Sequence, residues 1–310
     1  MLTTPVLFIV YKRLDTTTKV FNAIKAARPA KLFVAADGPK NADEEERCRL
    51  VRDIATQVDW PCELHTLFHN RNIGVARGGF EAITWFFNNV EQGIILEDDC
   101  LPDISFFEFC EILLNKYVYD HSIFAISGTN LLNEGWLSNK QSYHFGHGGV
   151  WGWATWRRAW QLYDFDMPDW KDKTNQKKIR KAMGNTNWFD IYYKDLYQWA
   201  YDKEIGAWDL QWLHCIFNNG GRMINPSVNL VKNIGFGPEA SNTVGADSPY
   251  ATLELKQMTF PLKDPKKIKI DKKYLRATFK YVFEHNKSLE RKLKSWIRLY
   301  LNRFKNIKTH

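Results

Sequence analysis

Over the first 127 residues, short apolar runs rich in β-branched side chains alternate with longer stretches of helical pattern, and this alternation narrows the fold more than any other feature. Strands are expected at Val6 to Val10, Leu32 to Ala36, Leu64 to Phe68, Ile94 to Glu97 and Ile123 to Ser127. That order marks βαβ units, in which crossover helices join parallel strands. Three helix starts are legible: Asp15 before the first, Asn41 with Glu44 before the second, and Ser105 with Glu108 at capping-box spacing before the fourth. The expected fold class is α/β, a mostly parallel sheet flanked by helices.

After Ser127 the texture changes to a Gly- and Trp-rich loop from His144 to Trp153, then to short helices through about Asn219. The chain divides into an α/β half at 1–127, a second half of the same domain at 128–260 that closes the site, and a basic helical tail at 261–310. In the tail, apolar residues recur at Leu293, Trp296, Ile297, Tyr300, Phe304 and Ile307 among basic ones, the pattern of a basic amphipathic helix. Such a helix either lies on an anionic membrane surface or packs its stripe on the domain.

A hydrophobic share of 45% with 25% charged residues excludes disorder. No stretch approaches the ~18 apolar residues of a membrane span, and the run at Val6 is too short, and without a basic leader, for a signal peptide. The expected location is the cytoplasm, peripheral on the inner face of the membrane if the tail binds there. The five cysteines, an odd number without CxxC spacing, are read as reduced packing residues. Of the net charge of +8, residues 287–308 hold +7, with eight Lys/Arg against Glu290. The body is nearly neutral, so nucleic acid is not an expected partner.

Open α/β sheets bind ligands at the carboxyl ends of their strands. The polar residues there are Tyr11, Arg13, Asp37, Asn70 to Asn72, and Glu97 to Asp99. The strongest signal is Gly93-Ile94-Ile95-Leu96-Glu97-Asp98-Asp99, where a buried strand delivers three acids in a row. A hard divalent cation, Mg²⁺ or Mn²⁺, held by one or two carboxylates and substrate phosphates would neutralise them; the competing reading is a solvated acidic turn. Arg13, Arg71 and Arg77 are candidate phosphate clamps, since guanidinium matches phosphate oxygens, or ordinary surface arginines.

Tyr11-Lys12-Arg13, Ala36-Asp37-Gly38, Glu97-Asp98-Asp99 and Ala207-Trp208-Asp209 together resemble the GT-A fold glycosyltransferases. The resemblance runs from about Val6 to Ser241 and is closest to the inverting N-acetylglucosaminyltransferases of N-glycan synthesis and their bacterial relatives. Trp151-Gly152-Trp153-Ala154-Thr155-Trp156-Arg157-Arg158 and Asn229 to Gly235 are similar to bacterial sequences labelled hemolytic-protein-like. The resemblance implies a nucleotide-sugar-binding first half, an acceptor-side second half, and a UDP-sugar and a glycan acceptor as partners. It implies that Asp37 accepts from the nucleotide base, that Tyr11 and Arg13 border the donor, that Glu97 and Asp98 lie near uridine and ribose, and that Asp99 ligates Mn²⁺ or Mg²⁺. Asp209 becomes the catalytic base, since inverting transfer needs one carboxylate to take the acceptor proton. Asp202 and Glu204 are substitutes, and a helix cap is the competing reading of Asp209. The Gly/His loop at His144 to Gly149 and the C-terminal basic tail depart from the eukaryotic pattern.

Acceptor-side candidates are Trp151, Trp153, His147 and Trp208, flat or polar groups near the second half. Aromatic rings fill cores as readily as they face sugars; partial exposure is expected for Trp151 and Trp153 and burial for Trp156. A nucleotidyltransferase would show a glycine-rich loop after the first strand, and Tyr11-Lys12-Arg13-Leu14 has no glycine. The sequence therefore reads as a metal-dependent inverting glycosyltransferase, in a bacterial surface-polysaccharide pathway by resemblance. The alternative is a non-catalytic glycan-binding or membrane-active protein.

Overall fold

The computed structural model describes residues 1–132, 141–184, 187, 189–204, 206, 208–236 and 250–286. The basic stripe from Leu289 onward and Ala207 lie outside the described residues.

The first half alternates as the apolar runs require: β1 (Val6–Val10), α1 (Leu14–Ala27), β2 (Lys31–Ala36), α2 (Ala42–Ala55), β3 (Glu63–Phe68), α3 (Val75–Asn89) and β4 (Gln92–Glu97). Then follow a short β5 (Cys100–Pro102), α4 (Ile104–Lys116) and β6 (Ile123–Ser127). All five expected strands are present. The cap of α4 is Asp103, whose side chain accepts from Ser105 N, rather than Ser105 itself. At α2, Asn41 occupies the cap position without a side-chain bond, and Glu44 reaches back to Lys40 N and to the loop after β1 instead.

The second half adds β7 (Tyr143–Gly146), β8 (Trp153–Trp156), α5 (Arg157–Trp160), α6 (Lys173–Ala182), a π-helical turn at Phe189–Tyr193, α7 (Lys194–Tyr201), α8 (Asp209–Asn218), β9 (Arg222–Pro226), β10 (Val231–Asn233) and α9 (Lys272–Asn286). Two parts of the Gly- and Trp-rich stretch expected to be loop are therefore strands. The reason is burial on both faces: all four residues of β8 are buried, so no polar alternation announces it.

One eight-stranded sheet, in the order β3-β2-β1-β4-β8-β6-β9-β7, runs through both halves. β1 to β4 are mutually parallel, β8 is antiparallel to both β4 and β6, β9 is parallel to β6, and β7 is antiparallel to β9. The fold is α/β with a mostly parallel sheet, as expected. Its two faces bury separate clusters. Val6, Phe8 and Val10 of β1 point into one, with α1 and α4 residues such as Ile24 and Phe106. Leu7 and Ile95 point into the other, with Phe86 of α3 and Trp212 of α8. In that second cluster Trp153, Trp160, Trp208 and Trp212 meet at ring-centroid distances of 5.2 to 6.5 Å. Much of the tryptophan content is thus core. Trp153, expected to be partly exposed, is 1% exposed; Trp156 is buried as expected, and Trp151 is half-buried.

α9 closes the β7 edge through Asp271 N to Phe145 O at 2.8 Å, with Tyr274, Leu275 and Phe279 buried. The five cysteines are free. Among the described residues no helix is long and apolar enough to cross a membrane.

Candidate active site

A cavity of about 1250 Å³ lies over the carboxyl ends of the central strands. β1 delivers Tyr11, Lys12 and Arg13 to it, β2 delivers Asp37, and β4 delivers Glu97, Asp98 and Asp99. The register explains the meeting: Ile9 pairs with Glu97, so the residues after β1 stand directly beside the acids. The Arg13 guanidinium spans two carboxylates, forming a close ion pair with Asp98 and a second at 2.9 Å with Asp99. Asp98 and Asp99 are 4% and 8% exposed, so these charges sit largely out of water.

One guanidinium does not balance the cluster. Burial, and then the charges of Asp99, Asp98 and Asp209, raise the Glu97 carboxyl well above the ordinary carboxylate range. Burial also raises Asp98, and the Arg13 charge draws it partly back. Surplus negative charge of this kind is what a bound cation relieves. Among the described residues no group of three or more metal-ligating side chains forms. Among the described residues a protein-only metal cage is therefore not built.

A second segment locks this motif in place. β10 pairs antiparallel with β5, Asn233 opposite Cys100, and Ile234 N donates to Asp99 O at 2.8 Å. The next residue, Gly235, passes so close that a Cβ there would lie 2.3 Å from Asp99 Oδ2 and 2.6 Å from Arg13 Nη1. Only glycine fits without moving the acid or its partner. The Asn229 to Gly235 run, conspicuous in the sequence without an assigned role, is thus the strap over the acidic motif.

Asp37 departs from its expected role. Its Oδ1 accepts from Gly38 N at 2.8 Å and Ile73 N at 2.9 Å, and its Oδ2 from Asn72 Nδ2 at 2.9 Å and Gly74 N at 3.1 Å. These four bonds fill a carboxylate's capacity, leaving none for a nucleotide base. Asp37 instead fixes the loop that opens α3, where Gly74 adopts φ of 84°. The Tyr11 hydroxyl is likewise committed, to Glu44, which Lys12 binds at 2.5 Å; these partners hold Glu44 down at about 2. Lys12, Glu44 and Gly235 were given no site role from sequence. Lys12 had the signal of adjacency to Arg13, whereas Glu44 read as part of a helix start.

Arg71 and Arg77, expected as clamps, do not border the cavity. Both are exposed, and Arg77 pairs with Glu81 one helical turn on, at 2.5 Å. Arg77 lies on the exposed face of α3, and Arg71 sits in the loop before that helix.

Asp209 begins α8 and borders the cavity. It lies at the first helical position rather than the cap, and its Oδ1 accepts from Leu210 N at 3.0 Å. Burial raises its pKa, and its charge reaches Glu97. Asp202 and Glu204 are exposed and do not border the cavity. Trp208, 4% exposed, packs on Gly79 of α3 and stacks on Trp153 at 5.7 Å, tying α8 to α3 and β8. His147 is 5% exposed among Tyr193, Phe217 and Phe279; burial pushes its pKa down to about 3, and its Nδ1 is buried without a partner. It contributes a neutral wall rather than a charge for a phosphate.

No family model matches the sequence, and no curated protein matches it. Among solved structures the chain is similar to a UDP-glucose pyrophosphorylase complexed with UDP-glucose, at 10% identity and a TM-score of 0.34, over 72% of this chain and 90% of that one. It is similar to mouse xyloside xylosyltransferase 1 in its apo form, at 9% identity and TM-score 0.34, over 69% and 81%. HddC from Yersinia pseudotuberculosis matches at 8% identity and TM-score 0.31, over 50% and 78%. Similarity this distant does not decide function, which has to be read from the site.

Proposed function

We infer that this protein is a metal-dependent, inverting glycosyltransferase of the GT-A type that moves a sugar from a nucleotide diphosphate donor to a glycan hydroxyl. The observation that carries the reading is the under-neutralised run Glu97-Asp98-Asp99 at the carboxyl end of a central parallel strand, with Arg13 beside it and the Asp209 carboxylate bordering the same cavity from the start of α8. When bound, a divalent cation would supply Lewis-acid neutralisation of the departing diphosphate. Asp99 would hold it, and Arg13, freed from the carboxylates, would turn to the phosphates, which its planar fork suits. Asp209 would accept the acceptor hydroxyl's proton as that oxygen attacks the anomeric carbon opposite the departing nucleotide. The new C–O bond forms as the old one breaks, so the anomeric configuration inverts. A buried carboxylate whose pKa is raised is the better base near neutral pH, provided it remains ionised. A role in bacterial surface-glycan assembly follows from the sequence resemblance.

The test is calorimetric titration of UDP into the purified protein, with Mn²⁺ and with chelator. Binding on the order of −8 kcal/mol, micromolar, is expected with Mn²⁺ and is expected to vanish with chelator and in Asp99→Ala. UDP affinity indifferent to chelator and to Asp99→Ala would overturn the metal assignment, and absence of nucleotide binding in every condition would overturn the donor site.

A further inference from the structure

The cavity is divided by charge. Its charged side chains among the described residues, Lys12, Arg13, Asp37, Lys40 and the three acids, follow β1, β2 and β4 or sit on the loop before α2, with Asp209 nearby at the start of α8. Beyond Asp209 the walls come from the segment between β7 and β8, the π-helical turn, α7 and α9, and no described side chain lining that part carries a charge. The rings there include Trp151, Tyr192, Tyr193, Tyr250 and the buried, neutral His147, with Leu196 and Val282 between them. Trp151 is half-buried and held edge-on by Phe236 at 6.0 Å and Tyr250 at 5.6 Å, so its orientation is fixed by packing. The π-helical turn, a form that recurs at functional sites, brings the consecutive Tyr192 and Tyr193 to the same cavity.

We propose that this uncharged aromatic half is the acceptor subsite and takes a neutral saccharide, with the Trp151 ring as its platform. The proposal rests on the glycosyltransferase reading and deepens it. A phosphorylated or acidic terminal sugar entering here would lose its water and meet no cation among the described lining residues, a cost that an uncharged sugar avoids. The apolar face of a pyranose is matched by a fixed indole. Asp209 stands at the seam between the two halves, where an acceptor hydroxyl has to meet the donor.

The test presents the full chain, with UDP and Mn²⁺, to an array of immobilised glycans ending in neutral sugars, in uronic or sialic acids, or in sugar phosphates. Retention is expected on neutral termini alone. It should fall about tenfold in Trp151→Ala, the size of one aromatic contact, and largely persist in Trp151→Phe. Thermal melting establishes that each variant is folded. Should Trp151→Ala fail to fold, Leu196→Glu, which places a charge in the neutral half, is expected to abolish retention in its stead. Retention on acidic or phosphorylated termini, or on no glycan at all, overturns the assigned class. Undiminished retention by folded Trp151→Ala, or by Leu196→Glu where it replaces that variant, overturns the subsite. A chain that binds UDP but no neutral glycan defeats this proposal alone, whereas one that binds neutral glycan but no UDP upholds the subsite and defeats the transferase reading.

Discussion

β4 and β8 lie side by side and antiparallel, Ile95 opposite Trp153, and each bears a conspicuous run of sequence. At the carboxyl end of β4, two of three acids share one guanidinium. At the other edge, where β8 ends, the polar groups are satisfied by the protein itself. Arg158 donates to the carbonyls of Tyr117, Val118, Asp120 and Ile123 at 3.0 to 3.1 Å and lies over the Trp156 ring at 4.4 Å. Trp156 Nε1 donates to Leu114 O at 3.1 Å, and Thr155 Oγ1 to Phe124 O at 2.5 Å. Polar groups that close among themselves stabilise a fold, whereas three acids beside one guanidinium leave negative charge unbalanced in a cavity. The two ends of one strand pair thus differ in whether their charges are balanced within the protein.

Mutations at the two ends should therefore fail in different ways. The largest effect expected is on transfer in Asp209→Asn, about two to four orders of magnitude, the range of a general base, with UDP binding and melting temperature retained. Because burial raises Asp209, the acid limb of the kcat/KM profile should lie above the ordinary carboxylate range: as pH falls through its pKa, the base becomes protonated and activity is lost. Full transfer by Asp209→Asn in a coupled UDP-release assay would remove it from the mechanism. At the opposite edge, Arg158→Ala should cost roughly 3 kcal/mol of stability, since it strands several carbonyls at once. Denaturant unfolding measures this. A loss of UDP affinity in Arg158→Ala without a shift of the unfolding midpoint would break the contrast.

The same contrast explains what was legible in the sequence. The five strands of the first half were readable because apolar runs alternate with helices, Arg13 and Glu97 to Asp99 because they follow strand ends, and Asp209 only through the family resemblance. β7 and β8 were not, because strands buried on both faces among glycines and tryptophans show neither period. Asp37 was found but misjudged: sequence shows a carboxylate after a strand, not that two backbone amides from residues 73 and 74 fill it. Arg71 and Arg77 were near the site in sequence, but both side chains face solvent. Trp151 and Trp153, two residues apart, divided between cavity wall and core, a distinction set by which elements cover each.

The smallest effect expected is at Gly235, where the strap meets the acids. An added methyl would have to displace both Asp99 Oδ2 and Arg13 Nη1 by several tenths of an ångström, since contacts of 2.3 and 2.6 Å cannot persist. Gly235 lies in neither strand, and its φ is not in the region reserved for glycine, so the constraint on it is the approach to the acid rather than its own backbone. Gly235→Ala should therefore weaken metal-dependent UDP binding about tenfold, or about 1.4 kcal/mol, with a smaller change in melting temperature than Arg158→Ala. The sign is informative. If the methyl instead tightens UDP binding by forcing Arg13 off the carboxylates, the ion pair competes with the donor and the strap restrains the site. If UDP affinity is unmoved, the strap yields freely, and the acids are positioned by β4 and Arg13 alone.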